Sequence, residues 1–362
     1  MTWSLSIVRR GLEKENENLE SQIEAENNKS DSEQSQEQLE RLNEFHQDNS
    51  EKLNTLVERL ASLSSASLYG FKDPVVEIRL LAVEIHPRMA KDCPSHFFSD
   101  NTLKYLGNWL NDPAKESRKG CLDGIQLLLE FDASRLAPFM SRFYPRIARM
   151  INDKDVEVAK AAMNLLVEVA TRIDELNLEI PPESVDVISM HVFHENAKLA
   201  EKAAIFMELT LLAEIEEESS SKFLPSGARQ PKEWSTILKI VDFYLETDVD
   251  TGIGPVVDAF WTIPNVLGLK KWNTIPELLL GEYSLSSEQE ATLIQLLHYS
   301  VEKACTLPMP TTKTQREQVT TEKDRIARAL IKYMPQLVSK FGSDCEKALR
   351  LIKIPKHFDC ER

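Results

Sequence analysis

The sequence predicts an all-α protein, in which a long N-terminal helix leads into a solenoid of repeated helix pairs. Three observations favour this fold class: few glycines and prolines, a pattern that recurs about every 40 residues, and no strand-like alternation of useful length. The 362 residues include only 11 glycines and 17 prolines, against 42% hydrophobic and 28% charged residues. This composition is typical of helices and not of a sheet-rich fold with many tight turns.

Charge and cysteine usage narrow the functional classes. The net charge of −15 argues against a globally basic nucleic-acid binder, so any DNA contact must be local. The five cysteines are widely spaced without a CxxC pair, which indicates reduced thiols in the cytosol or nucleus. Neither a signal peptide nor an apolar run of about 20 residues is present in the sequence. We therefore expect an internal, soluble protein with no membrane partner.

The first 70 residues predict two segments. Residues 1–32 are acidic and poor in apolar residues, and we expect them to be poorly ordered. Residues 33–70 predict a long helix with heptad spacing, interrupted by polar His46 and Asn49. The leucines of this stripe are Leu39, Leu42, Leu53, Leu56, Leu60 and Leu63. The helix either packs within its own domain or forms an intermolecular coiled coil.

Residues 71–215 carry an internal repeat. Four segments each place an acidic residue just before a helix and a basic residue one or two turns later. The register positions, 39, 41 and 42 residues apart, are Asp73, Asp112, Asp153 and Glu195. This period is typical of HEAT and armadillo repeats, which span about 40–47 residues. The acidic residue caps a helix start, where a following proline loses no hydrogen bond.

Each helix pair of a solenoid needs apolar positions that bury against its neighbours. We expect the stripes Ile78, Leu81, Ile85 and Leu122, Ile125, Leu129 to be buried in this way. Residues 233–362 predict further helical repeats after a loop at 216–232, with a capping box from Ser287 to Glu290 and a second loop at 308–321.

The catalytic and metal-ligating patterns are weak. His191 and His194 have the spacing of a metal-binding helix face but no evident third ligand, so ordinary helix residues are the competing interpretation. Gly252 and Gly254 lack the third glycine of a dinucleotide site and favour a turn or helix start. We expect no enzyme activity and no cofactor.

Two surfaces favour partner binding. Between Arg135 and Lys160, six basic residues stand against three acidic ones, a local charge of +3. The candidate DNA-contacting residues of this basic island are Arg146, Arg149, Lys154 and Lys160, although a solvated face with intrahelical pairs is the competing interpretation. In the helix from Asp100, burial of Leu103, Leu106 and Leu110 would turn Lys104, Tyr105 and Asn108 outward. Trp109 would then be an exposed binding aromatic or be half buried against the next repeat.

Ordered blocks of the sequence resemble a known family. FKDPVVEIR, SDNTLKYLGNWLNDPAKESRKGCL and FMSRFYPRIARMINDKDVEVAKAAMNLL are similar to the stromalin conservative domain of the cohesin stromal antigen subunits. Blocks such as VVDAFWTIPNVLGLKKWNTIPELLL resemble the helices that follow it, and ERLNEFHQDNSEKLNTL the helix before it. Family members are considerably longer, so the resemblance implies that this sequence lacks most of their N-terminal region and their large C-terminal helical array. It is then either a partial gene product or a much shortened paralogue.

The resemblance implies a non-enzymatic, nuclear, chromosome-associated scaffold that binds the kleisin of the cohesin ring, chromatin and regulators for sister-chromatid cohesion. It also implies a pocket for Tyr/Phe-containing peptides of regulators such as shugoshin or the release factor. The residues at the pocket positions are Phe71, Asp100, Lys104, Asn108 and Arg142, with Trp109 one residue after the position of the family's tryptophan. A general HEAT-repeat adaptor in transport or phosphatase regulation is the alternative.

Overall fold

Helices and the turns between them make up the part of the chain that the structure describes. The computed structural model describes residues 2–28, 33–92, 94–211, 232–247, 249, 251–263, 269–281, 283–306 and 313–358, and none of these residues lies in a strand. The chain divides into two compact units, Met1–Glu179 and Ile180–Arg362. The all-α prediction is confirmed.

The first unit contains nine described helices that form a hairpin followed by stacked helix pairs. Helices α3, α6 and α8 pack in succession as one layer, and α5 and α7 pack together beside them. The helices are α1 Thr2–Asn27, α2 Glu33–Tyr69, α3 Val76–Asp92, α4 Pro94–Phe97, α5 Asp100–Trp109, α6 Lys115–Phe131, α7 Ala133–Arg149, α8 Val156–Thr171 and α9 Ile173–Leu176.

The N-terminal hairpin corrects one prediction. Residues 1–32 were expected to be poorly ordered, but most of this segment forms α1, which packs along α2. Polar contacts join the two helices: Asn16 Nδ2 donates to Ser50 Oγ at 3.2 Å, and His46 Nε2 lies 3.2 Å from Glu20 Oε1. Asn49 is only 7% exposed. Around His46 and Asn49 the stripe on α2 therefore packs against α1 within the chain, with side-chain hydrogen bonds in place of some apolar contacts.

A ladder of arginines and aspartates joins successive helix pairs. Arg79 donates to Asp112 through Nε at 2.8 Å and Nη2 at 3.1 Å, and Arg118 donates to Asp153 at 2.8 and 2.7 Å. Nη1 of each arginine also donates to the two carbonyls at the turn of its own pair. Each aspartate caps the turn of the next pair, since Asp112 Oδ1 accepts from Ala114 N at 2.8 Å and Asp153 Oδ1 accepts from Asp155 N at 3.0 Å. The acidic register positions thus set the stacking.

The fourth register position is His194 and not Glu195. His194 ends a 3₁₀ turn with extended backbone angles, as Asp73 and Asp153 do, and its Nδ1 accepts from Asn196 N at 2.9 Å. A histidine nitrogen can accept this hydrogen bond as a carboxylate does. Six residues after Asp153 the sequence has Ala159, where the earlier pairs have Arg79 and Arg118. The pattern of the ladder therefore does not extend past Asp153.

Helix α3 buries a different face from the predicted one. Ile78 and Leu81 are 44% and 56% exposed, so the prediction that they are buried was wrong. A Cβ placed on Gly124 of α6 would lie 2.5 Å from Pro87 Cγ, which shows how closely the two helices approach. Small residues permit this approach and turn the larger side chains outward. The predicted stripe of Leu122, Ile125 and Leu129 on α6 is fully buried, as expected.

The second unit also contains nine described helices. They are α10 Pro182–Ser189, α11 Ala197–Thr210, α12 Lys232–Glu246, α13 Gly254–Phe260, α14 Thr274–Leu280, α15 Ser287–Cys305, α16 Lys313–Leu330, α17 Met334–Phe341 and α18 Cys345–Lys353. The unit boundary at 179/180 falls inside the predicted repeat domain of residues 71–215, next to Asn177 with its left-handed φ of 44°. The predicted loop at 216–232 lies outside the described residues except for Lys232, which begins α12.

Three local predictions in this unit have clear outcomes. The second predicted loop, 308–321, was too long, because α16 already begins at Lys313. The capping box starts one residue earlier than predicted: Ser286 Oγ accepts from Gln289 N at 3.1 Å, and Gln289 Oε1 accepts from Ser286 N at 2.9 Å. The turn interpretation of the glycine pair is confirmed, since Gly252 has a φ of 72° and Gly254 is the first residue of α13.

Candidate functional site

Helix α5 is the platform for the predicted pocket residues. Its start is fixed by Thr102, whose Oγ1 accepts from Ser99 N at 3.3 Å. Leu103, Leu106 and Leu110 are buried, which confirms the predicted stripe. The opposite side carries Asp100, Lys104 and Asn108, which are four residues apart and all exposed. Side chains at this spacing lie one above another on a helix, so these three form one polar row.

Phe71 packs against this helix from the turn between α2 and α3. Its ring centroid lies 5.6 Å from that of Trp109 and 6.3 Å from that of Tyr105, and both contacts are edge-on. Such edge-on pairs are the preferred geometry of aromatic rings. The Phe71 side chain is half buried, so part of its ring remains accessible beside α5.

Trp109 is a core residue and not part of the exposed surface. Its side chain is 0% exposed, so both sequence interpretations, exposed or half buried, were wrong. Behind it lies His86, at a centroid distance of 6.0 Å. Burial lowers the pKa of His86 to about 4, so the imidazole is neutral at physiological pH. Trp109 therefore supports the Phe71 ring from the core side of α5. The residue that faces outward at this level of α5 is Asn108.

Arg142 reaches the same region through its neighbour on α7. Its guanidinium carbon lies 5.1 Å from the centroid of the Phe143 ring. Phe143 in turn packs on Gly107 of α5, where any added Cβ would overlap the ring. Only a glycine at position 107 leaves room for the Phe143 ring. This ring in turn holds the exposed Arg142 side chain next to α5.

Three elements therefore meet around α5. Tyr105 contacts the Phe71 ring and also lies under Lys104, whose Nζ is 5.4 Å from the Tyr105 centroid. Phe143, which packs on Gly107, brings Arg142 next to α5. Sequence reasoning placed Tyr105 on the outward face but missed Gly107 and Phe143, although an aromatic residue beside Arg142 and a glycine inside a helix were available signals. We call the accessible parts of Phe71, Lys104, Tyr105, Asn108 and Arg142 the α5 surface.

The basic island is partly neutralised by contacts within the chain. Arg146 Nη2 donates to the Leu110 carbonyl at 2.8 Å, and Lys160 pairs with Glu157 at 2.8 Å. Arg135 lies 3.3 Å from Asp132. Arg149 and Lys154 remain exposed, and we find no ion pair for either of them among the described residues. Of the four predicted DNA-contacting residues, these two are the cations available to a phosphate.

Metal-binding residues do not converge in the described part of the chain, where no group of three or more His, Cys, Asp or Glu side chains could hold an ion. His191 and His194 stack at 5.7 Å, and His194 Nδ1 is already occupied by the Asn196 N–H. Burial raises the pKa of the Cys121 thiol, which donates to the Leu106 carbonyl at 3.0 Å. Among the described residues, no helix combines the length and the apolar character needed to cross a membrane.

Two family models match separate parts of the chain. The stromalin conservative domain matches residues 72–144, which include α5 and Arg142. The HEAT-repeats domain of cohesin subunit SCC3/SA matches residues 256–362. The two matches lie in the order that the ordered blocks of the sequence predict. In these two segments the chain matches domain families of the stromalin, or SA/Scc3, subunits of cohesin.

Known stromalins match nearly the whole chain at low identity. Cohesin subunit SA-1 of Xenopus laevis is 26% identical over 95% of this chain, and cohesin subunit SA-3 of Homo sapiens is 28% identical over 98%. Cohesin subunit scc-3 of Caenorhabditis elegans is 27% identical over 87%. These alignments cover only 28–30% of each relative, so the chain spans less than a third of the length of these stromalins.

A solved stromalin has the same fold. The cohesin subunit Scc3 from Z. rouxii superposes with a TM-score of 0.75 over 98% of this chain and 42% of that structure, at 17% sequence identity. This match and the HEAT-repeat family model confirm the predicted helical-repeat solenoid.

Proposed function

We propose that this chain is a stromalin, a non-enzymatic scaffold subunit of cohesin, which binds kleisin, chromatin and regulators in sister-chromatid cohesion. The observation that carries the proposal is the match of the stromalin conservative domain to residues 72–144, which contain every residue of the α5 surface except Phe71. The relatives carry the names of cohesin subunits. The corresponding location is the nucleus, in association with chromosomes.

The chemistry of the α5 surface suits a peptide that carries an aromatic residue and acidic groups. Phe71 and Tyr105 offer ring edges and faces for an aromatic anchor. Lys104 and Arg142 are exposed cations that can pair with carboxylates, and the arginine fork can bind two oxygens at once. Asn108 can donate to or accept from a peptide backbone. Regulators of the shugoshin or release-factor type are the proposed partners, together with kleisin.

The basic island supports a second, weaker contact. Arg149 and Lys154 are exposed, and two cations can neutralise only a few phosphates. We propose that the chain touches DNA there without reading its sequence. The high negative charge of the whole chain limits the affinity of this contact.

Affinity purification of the tagged chain from nuclei, followed by mass spectrometry, tests the assignment. We expect kleisin and the other cohesin ring proteins among the recovered partners. Recovery of a transport or phosphatase complex in place of cohesin would support the alternative of a general HEAT-repeat adaptor and would overturn the proposal. The same purification with Arg142→Glu should keep kleisin and lose the peptide-bearing regulators.

A further inference from the structure

We infer that a cleft in the second unit, between the starts of α12 and α14 and the C-terminal half of α16, binds an acidic peptide segment. The cleft has a volume of about 400 Å³ and is lined by two tryptophans, Trp234 and Trp272, and three cations, Lys270, Lys271 and Arg325. It contains none of the residues of the α5 surface. The inference is therefore a second interaction site beyond the proposed function.

The wall of the cleft contains a hydrogen-bond donor that needs an acceptor. Trp272 is only 4% exposed, and no acceptor for its buried Nε1–H is present among the described residues. Buried polar groups are nearly always hydrogen-bonded in folded proteins, and an indole N–H can only donate. Binding of a ligand whose carbonyl or carboxylate oxygen reaches this buried N–H would supply the missing acceptor.

The acidic residues of the lining are already hydrogen-bonded within the chain. Glu233 is hydrogen-bonded to Lys271, and Glu277 Oε1 accepts from the Tyr333 hydroxyl at 2.5 Å. These contacts occupy an acceptor oxygen of each carboxylate. They also hold Lys271 in place at one side of the cleft.

Two cations remain available at the rim. Lys270 is exposed, and its Nζ lies 5.0 Å from the centroid of the Trp261 ring, which contributes no formal charge. Arg325 is exposed, and its ion-pair partner Glu322 lies 3.5 Å away on the same helix, outside the cleft lining. Exposed intrahelical pairs of this kind are weak and readily exchanged. The rim therefore favours a ligand with negative charge.

A peptide fits these features better than a nucleic acid. Glu233 and Glu277 remain in the lining and would repel a continuous run of phosphates. Asn273 and Thr274 add amide and hydroxyl groups that suit a peptide backbone. A volume of about 400 Å³ holds a few residues, so a short segment with two or three carboxylates is the occupant we propose.

Fluorescence anisotropy with the full chain tests the site. The probe is a fluorescein-labelled peptide that repeats Glu-Leu-Asp-Ser, titrated against wild type, Lys270→Glu and Arg325→Glu, with Lys356→Glu as the charge-matched control. We expect each rim reversal to weaken binding about tenfold, the loss of one charge-assisted contact, while the control binds as wild type does. Trp272→Phe keeps a ring and removes the N–H, so it should weaken binding by a smaller factor.

Three outcomes would overturn the inference. They are no binding by the wild type, equal binding by the rim variants and the control, or stronger binding of a single-stranded oligonucleotide of the same charge at this cleft. Circular dichroism of each variant verifies that the helices are intact, and the charge reversals decide the matter if Trp272→Phe fails to fold. Arg142→Glu should leave this titration unchanged, so the result is independent of the α5 surface.

Discussion

The position of Arg142 depends on a glycine in a different helix. Phe143 packs where Gly107 has no side chain, and the guanidinium of Arg142 stacks on the Phe143 ring. The binding geometry of an exposed residue is therefore set by packing beneath it. A change at Gly107 should alter binding without touching a ligand.

Gly107→Ala should weaken peptide binding and lower stability together. The new methyl group would overlap the Phe143 ring, and overpacking of this kind costs about 1–3 kcal/mol. Thermal unfolding and calorimetric titration with a regulator peptide measure the two effects. Gly11→Ala is the matched control, because a Cβ at Gly11 meets no atom within 4 Å. Unchanged stability and binding in Gly107→Ala would contradict the packing argument.

Arg142→Glu should reduce affinity for an acidic, Tyr/Phe-containing regulator peptide about 30-fold, equivalent to about 2 kcal/mol. The reversal removes a cation from the α5 surface and adds a repulsive carboxylate. The measurement is a titration with labelled peptide in the presence of a kleisin segment. Arg149→Glu, an equal charge change on the same helix, should bind normally. Equal losses in both variants would indicate a general charge effect and not a site.

Asn108→Trp should strengthen binding of the same peptide several-fold. Asn108 is exposed on the polar row of α5, so an indole there adds an accessible aromatic face worth about 1 kcal/mol. Asn111→Trp, also an exposed position, serves as the control in the same titration. If both substitutions act alike, the added aromatic surface binds nonspecifically and the pocket is not organised around α5.

At the scale of the helix pair, the arginine ladder carries both a structural and a pH-dependent role. Burial favours the neutral form of Asp153, but the hydrogen bonds from Arg118 and from Asp155 N outweigh it, so its pKa is lowered. A lowered pKa in the folded state stabilises the protein above the unfolded value of about 3.9, and this stability is lost as the pH falls through the folded pKa. Acid should therefore loosen this junction.

Arg118→Met should move acid unfolding to a higher pH and reduce stability by about 3 kcal/mol at neutral pH, because Asp153 would keep its burial and lose its partner. Circular dichroism during an acid titration measures the midpoint. Lys115→Met is the control, since it breaks the more exposed pair with Asp155 and should shift the midpoint less. A midpoint equal to that of the wild type would show that the ladder does not stabilise the fold.

The elements were predictable where local chemistry determines them. The aspartate register gave the helix starts at Asp73, Asp112 and Asp153, because capping acts within a few residues. The outward face of α3 was not predictable, because the close approach to Gly124 of α6 rotates it. At the α5 surface, helical spacing placed Lys104 and Asn108 correctly, whereas the burial of Trp109 depends on Phe71 and His86 from other elements.

At the scale of the whole molecule, negative charge limits contact with DNA. The chain has a net charge of −15, and only Arg149 and Lys154 of the predicted DNA-contacting residues are exposed without an ion pair among the described residues. Long-range repulsion is screened by salt, but so is the attraction at a small basic patch. Any binding should therefore be weak and independent of sequence.

The double variant Arg149→Glu/Lys154→Glu should abolish DNA binding, which in the wild type should fall steeply with salt. Mobility shift or anisotropy over a range of salt concentrations measures both effects. Arg146 is unsuitable for this test because it donates a hydrogen bond to the Leu110 carbonyl, so its replacement would also disturb the fold. Arg135→Glu, which removes a cation already paired with Asp132, is the control. Undiminished binding by the double variant would place the DNA surface elsewhere.

The arginine ladder also bears on how such a chain can change length in evolution. Arg79 and Arg118 each donate to the carbonyls of their own turn and to the aspartate of the following pair. Both junctions therefore use the same two kinds of hydrogen bond. A duplicated or deleted helix pair brings its own arginine and its own aspartate, and the new junction closes without compensating substitutions elsewhere. Gain or loss of a whole pair is then better tolerated than a single-residue insertion between aspartate and arginine, which would turn the guanidinium away from its partner by about 100°.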